Sequence, residues 1–157
     1  MTKRERIISI ILASVLLLTI ISSTYFFLGI AKVSILQWIV FNACAPSSIA
    51  YILGLILYFN TSDKKWLTIA VVPTLFFGTM GLFVFPWNSP TDMIVQFSHI
   101  IMTLNIALAL WVVLKDRDYE SLGKGLLTSV IIFVPFIAFT QHYCRLHADE
   151  VMQHLNL

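Results

Sequence analysis

Asp92, Gln96, His99 and Thr103 recur at intervals of 4, 3 and 4 within one apolar stretch. On an α-helix that spacing puts all four on one face. A second stretch carries Gln37, Cys44, Ser48 and Tyr51 at intervals of 7, 4 and 3, again one face. Polar groups inside an apolar span are costly and turn toward the bundle interior. Two such stripes facing each other predict a small pocket, with Gln37, Ser48, Asp92, Gln96, His99 and Thr103 as its ligand-binding residues. An imidazole such as that of His99 serves as base, metal ligand or hydrogen-bond donor, or simply fixes helix packing. In so apolar a site an active Cys44 thiolate needs a cation nearby; without one, a buried thiol is a small hydrophobe. Pro46, two residues on, should kink the helix there.

The tail adds His142, Cys144 and His147, ligand types suited to zinc or copper. Their H-x-C-x-x-H spacing is suggestive only. A metal site would combine His99 with His142, Cys144 or His147, and two such histidines could ligate a haem. The competing reading is a solvated, interfacial tail. A Cys44–Cys144 bridge is not expected, since a disulfide needs alpha carbons within about 7 Å.

Ala43-Cys44 followed by small residues, with the later intramembrane His99, resembles the membrane-embedded cysteine transpeptidases that process sorting signals. That resemblance implies a Cys44 nucleophile, a His99 base and an arginine in a helix between them. The chain has no arginine between the two, and Arg145, beyond the last span, is the substitute. Gly81-Leu82-Phe83-Val84-Phe85-Pro86 followed by His99 is similar to a pattern in small prokaryotic membrane proteins, and this implies no activity. Thr74, Gly78 and Gly81 share a face beside Pro73, which reads as close helix packing.

Elements that cross a membrane must position these residues. Of 157 residues, 59% are hydrophobic and 11% charged, and mean hydropathy is +0.88. One core of this size cannot hide that much apolar surface from water. The composition argues against a soluble enzyme, a disulfide scaffold with only two cysteines, and, at net charge +2, a nucleic-acid binder. A span needs about 20 apolar residues. Five stretches meet or approach this: Ile7–Ala31, Ile35–Phe59, Trp66–Phe85, Met93–Leu114 and the shortest, Gly125–His142. They must be helices, because a barrel would alternate in strands of about ten residues. The fold class is therefore all-α: one transmembrane domain of five helices with an amphipathic tail, Tyr143–Leu157, on the outer surface.

Lys3, Arg4, Arg6, Lys64, Lys65, Lys115, Arg117 and Lys124 fall on one side, against Lys32 and Arg145 on the other. Eight against two places the N-terminus inside and the C-terminus outside. Trp38, Trp66, Trp87 and Trp111 all fall at predicted interfaces. The first stretch is long for a signal peptide and lacks a clean cleavage site, so it reads as a retained anchor. By rise per residue His99 lies about 9 Å, and Cys44 about 13 Å, below the outer interface.

With no strong catalytic motif, the expected function is non-enzymatic: an outward-facing pocket for a lipid, small ligand or metal, or a subunit of a membrane complex. The alternative is an intramembrane enzyme of transpeptidase or hydrolase type using Cys44, His99 and Arg145. A second alternative is an oligomeric transporter, although no carboxylate lies deep in a span. The expected surroundings are a prokaryotic cytoplasmic membrane, its lipid bilayer, and a membrane protein partner or second copy, with no nucleic acid.

Overall fold

The computed structural model describes residues 1–155, with the side chains of all but Thr91 and residues 151–155. Among the described residues there are helices and no strands. Five segments are long and apolar enough to cross a membrane: Lys3–Ile30, Cys44–Thr61, Lys65–Val84, Asp92–Lys115 and Tyr119–Glu150.

α1 (Lys3–Thr24) starts at a capping box, in which Thr2 Oγ1 accepts from Glu5 N and the Glu5 side chain accepts from Thr2 N. It runs on as a π-helical stretch, Tyr25–Ile30. The stretch expected as one helix from Ile35 to Phe59 is instead broken. α2 (Ile35–Phe41) ends at Asn42, and α3 (Cys44–Thr61) begins two residues later. Pro46 explains the break. It has no N–H to give the Asn42 carbonyl and its ring crowds that carbonyl, so Ala45 N donates to Asn42 O instead, at 2.9 Å.

The third span is also irregular. α4 (Lys65–Thr68), α5 (Val71–Thr74), a π-helical stretch Leu75–Thr79 and α6 (Gly81–Val84) follow one another. α7 (Pro90–Lys115) opens with a capping box between Ser89 and Asp92 and with proline in its first turn. α8 (Tyr119–Leu155) is longer than the expected 125–142. Its ends are too polar to register as span, yet Tyr119–Lys124 and Gln141–Leu146 are helical, and Asp118 Oδ1 caps Ser121 N. Of the expected tail, 143–157, the first residues continue this helix up to a kink at His147, beyond which a second helical segment runs to Leu155; residues 156–157 lie outside those described.

α7 runs through the middle. Met102, Ile106, Ala109 and Val113 meet Leu16 and Ile20 of α1, Tyr51 and Leu55 of α3, and Leu67 and Val71 of the third span. The outer faces of α1 and α8 leave Ile11, Leu18, Ile21, Leu127 and Ile131 exposed, a surface suited to hydrocarbon rather than water. Small residues close the crossings. A Cβ at Gly125 would run into Thr68 Oγ1 and the Lys65 carbonyl, and one at Gly54 into the Trp66 carbonyl.

One end of the bundle collects the charge. Lys115 pairs with Glu5 at 2.6 Å and Lys64 with Asp116 at 2.7 Å, and Arg6 lies over the Phe59 ring. The hydrogen bond between them raises the Lys64 ammonium and holds the Asp116 carboxyl below the usual aspartate value. A depressed carboxyl contributes stability that is full above its ordinary value and is lost as pH falls through the lowered one. The melting-temperature gap between wild type and Asp116→Asn, small because the pair is exposed, should therefore close on acidification below the aspartate range. Gly125→Val should destabilise by about 1–3 kcal/mol through overpacking, while Gly123→Val, which meets nothing within 4 Å, should not. Thermal unfolding in detergent checks both.

Candidate functional site

Gln96 and His99 lie one turn apart on α7, and both are buried, Gln96 at 0% and His99 at 3% exposure. Gln96 Nε2 donates to Phe85 O at 2.8 Å and to Gly81 O at 3.4 Å. Carbonyls only accept, so the amide's donor side faces them and its oxygen is turned the other way. That oxygen, Oε1, lies 3.4 Å from His99 Nδ1. Nδ1 must then carry the proton, which leaves Nε2 as a bare acceptor. Nε2 lies 3.6 Å from Cys44 Sγ.

The imidazole is held from several directions. Phe85 stacks on it, with ring centres 5.4 Å apart and planes 9° from parallel. A Cβ at Gly81 would come within 2.8 Å of the ring, so only glycine lets α6 come this close. Thr103 Oγ1 donates to the His99 carbonyl at 2.8 Å and meets Thr79 Oγ1 at 3.1 Å. The thiol of Cys44, in the first turn of α3, has a second acceptor in Phe77 O at 3.3 Å. Phe77 belongs to the π-helical stretch, and such stretches recur at functional sites.

Cys44 stands between two cavities. The first, of about 360 Å³, has Thr19, Ser23, Asn42, Ser48, Asp92 and His99 among the residues lining it. Apolar residues line it too, among them Ile20, Phe27 and Met102. The second, of about 610 Å³, is lined chiefly by apolar groups such as Phe76, Phe77, Met80 and Val84. Phe41, Cys44 and Phe85 line both. The two volumes lie in the ordinary range for small-molecule sites.

Of the residues expected in a pocket, Ser48, Asp92 and His99 line the first cavity, and Gln96 stands behind His99. The Asp92 carboxylate accepts from Asn88 N and Ser89 N. Gln37 is elsewhere: its side chain accepts from Ser34 N in the cap of α2, since the break at Asn42 takes it off the Cys44 face. Thr103 ties α7 to the third span rather than lining either cavity. Tyr51 donates to Asn105 O at 3.1 Å, deeper in the core.

Of the three residues expected in an enzyme, Cys44 and His99 are together. Arg145 is exposed on α8 and is not among the residues lining either cavity. The expected metal set does not converge. His142 is exposed, His147 stacks on Tyr143 with ring centres 4.0 Å apart, and Cys144 Sγ donates to Val40 O at 3.8 Å. Among the described residues no group of three or more His, Cys, Asp or Glu could hold a metal ion. Both cysteines are free thiols.

Sequence reasoning passed over Ser23 and Asn42, and met Gly81 and Phe85 only as part of the run that precedes His99, with Gly81 also read as a packing residue. Asn42 Nδ2 donates to Ser23 Oγ at 3.2 Å, joining the break to α1. The legible signal was the Thr19/Ser23 pair, four apart in an otherwise apolar helix. Comparison with protein-family models, curated proteins and solved structures finds no match for this chain.

Gly81→Ala should push the imidazole off Cys44 and slow alkylation of that thiol by an uncharged maleimide. His99→Ala should slow it similarly, and Gly123→Ala should leave it unchanged.

Proposed function

We propose that the chain is a small multi-pass protein of a cytoplasmic membrane whose bundle binds a membrane lipid in the cavity beside Cys44 and His99. The observation that carries this is the mixed lining of that cavity. Hydroxyls, an amide, a carboxylate and an imidazole share it with Ile20, Phe27 and Met102. A molecule with both polar and hydrocarbon parts satisfies both kinds of group. Such molecules surround the five apolar helices. The rim includes Val95, which is 42% exposed, so the cavity is not sealed from the bundle surface. A metal centre has less support, because the tail histidines and Cys144 do not converge with His99.

The eight-to-two charge bias favours an N-terminus in the cytoplasm, and the ion pairs of Lys64 and Lys115 lie at that same end. The cavity is bounded by Pro86 and Asp92, on the connection at the other end. In this orientation it faces the outer leaflet.

Native mass spectrometry of gently solubilised protein should find a phospholipid adduct. Ser98→Trp should remove it by filling the cavity, since Ser98 lines it and its hydroxyl only donates to Ile94 O of its own helix. A bare wild-type protein would overturn the lipid reading. A fluorescent-protein fusion at the C-terminus should be dark in bacteria if that end is exported; a bright fusion would overturn the orientation.

A further inference from the structure

We infer that Cys44, with His99 as its base and Gln96 positioning the imidazole, takes an acyl group from a membrane lipid ester and holds it as a thioester. This rests on the lipid-binding reading and names what the site does with the lipid.

Three observations carry it. First, nucleophile, base and orienting group are in hydrogen-bond sequence: Sγ to Nε2 at 3.6 Å, then Nδ1 to Gln96 Oε1 at 3.4 Å. The direction is fixed by the two carbonyls that hold the Gln96 amide, so the bare nitrogen faces the sulfur. A thiol beside an imidazole whose other nitrogen is pinned by an acceptor is the arrangement used for acyl transfer. Second, Cys44 lies in the first turn of the 18-residue α3, so the break at Asn42 sets its thiol between His99 of α7 and Phe77 of the third span. Third, Cys44 is the one sulfur nucleophile shared by the two cavities. The larger, aromatic cavity suits a hydrocarbon chain; the smaller, more polar one suits the ester's head group. A carbonyl between chain and head then meets the sulfur at the junction.

The step balances without an oxidant or a metal. The thiol proton passes to His99 Nε2. The sulfur attacks the ester carbonyl carbon, forming a C–S bond and a tetrahedral oxyanion. Collapse breaks the C–O bond to the head group, and the His99 imidazolium returns its proton to the departing alkoxide oxygen. The products are S-acyl-Cys44 and a lysolipid alcohol. Attack by an acceptor hydroxyl on the thioester, by the same proton path, regenerates the thiol. Gln96 is a positioning residue: it touches neither the ester nor the sulfur, and acts by keeping the proton on Nδ1.

The test uses the full chain reconstituted in vesicles of phosphatidylcholine whose acyl chains end in an alkyne. Wild type should acquire a hydroxylamine-cleavable label that peptide mass spectrometry places on Cys44. Cys44→Ala should acquire none there. Gln96→Leu should keep the phospholipid adduct in native mass spectrometry but label more slowly, on the order of tenfold to a hundredfold. Its pH–rate profile should also change, which loss of a merely structural contact would not produce. A phospholipid adduct with no label on wild-type Cys44 would overturn the acyl-transfer inference and leave the lipid-binding reading standing. Absence of both adduct and label would overturn both. A label on Cys144 alone, or a Gln96→Leu protein labelling at the wild-type rate and profile, would overturn the assignment of roles.

Discussion

Buried at 0% exposure, the amide of Gln96 has no water to turn to, so its two sides must find protein partners. It finds them in one orientation only. The carbonyls of Gly81 and Phe85 take the donors, and the oxygen is left for His99. Much follows from that one side chain. The third span ends its helix at Val84 and turns extended at Phe85, which leaves Phe85 O for Gln96, while Gly81 O takes Gln96 beside its own helical bond from Phe85 N. Phe85 then lays its ring on the imidazole. Gly81 must be glycine because the carbonyl that binds Gln96 brings its own alpha carbon against His99. The proton on Nδ1, and with it the character of the nitrogen facing Cys44, is a consequence of how an amide hydrogen-bonds.

The two irregular spans serve this geometry from opposite sides. Carbonyls of the regular helices also accept side chains, as Asn105 O does from Tyr51, but the irregular spans are what aim Phe77 O and Phe85 O at this site. Proline opens both spans. Pro46 breaks the second at Asn42 and places Cys44 at a helix start rather than mid-helix. Pro73 precedes the π-helical stretch from which Phe77 O reaches the thiol. Irregular backbone at membrane depth is tolerated where protein buries it or a cavity borders it, and Asn42 and Phe85 both line a cavity.

The sequence was legible wherever one physical signal dominated. Hydropathy located all five spans, and the 3.6-residue period put His99, Gln96 and Asp92 on one face because α7 is unbroken from Pro90 to Lys115. The same period failed for Gln37, whose seven-residue interval to Cys44 assumes a continuous helix. Pro46 announced a kink but not that Asn42 would leave the helix altogether. The ends of α8 were missed because hydropathy measures preference for lipid, whereas Tyr119–Lys124 and Gln141–Leu146 are helical without it. Arg145 was grouped with Cys44 and His99 by chemical type alone, and type does not bring residues together. Gly81 could not be separated from ordinary small-residue packing, since the partner that makes it a site residue lies 18 positions away.

The walls around the thiol bear on what an acyl group held there would meet next. Phe41 and Phe85 flank Cys44 in both cavities, and the larger one is otherwise lined chiefly by apolar groups such as Phe76, Phe77, Met80 and Val84, with Thr140 and Gln141 as its polar members. Such surfaces offer water few hydrogen-bond partners, and a water needs two to four to be held. A thioester seated there is shielded from hydrolysis by the same side chains that would receive its hydrocarbon chain. Of the polar groups that could orient a hydroxyl, Thr19, Ser23, Asn42 and Ser48 line the smaller cavity and only Thr140 and Gln141 the larger. An acceptor that brings its own hydrocarbon to the apolar groups and its hydroxyl to the polar ones is favoured over a lone water. This arrangement suits transfer between two amphiphiles better than cleavage of one.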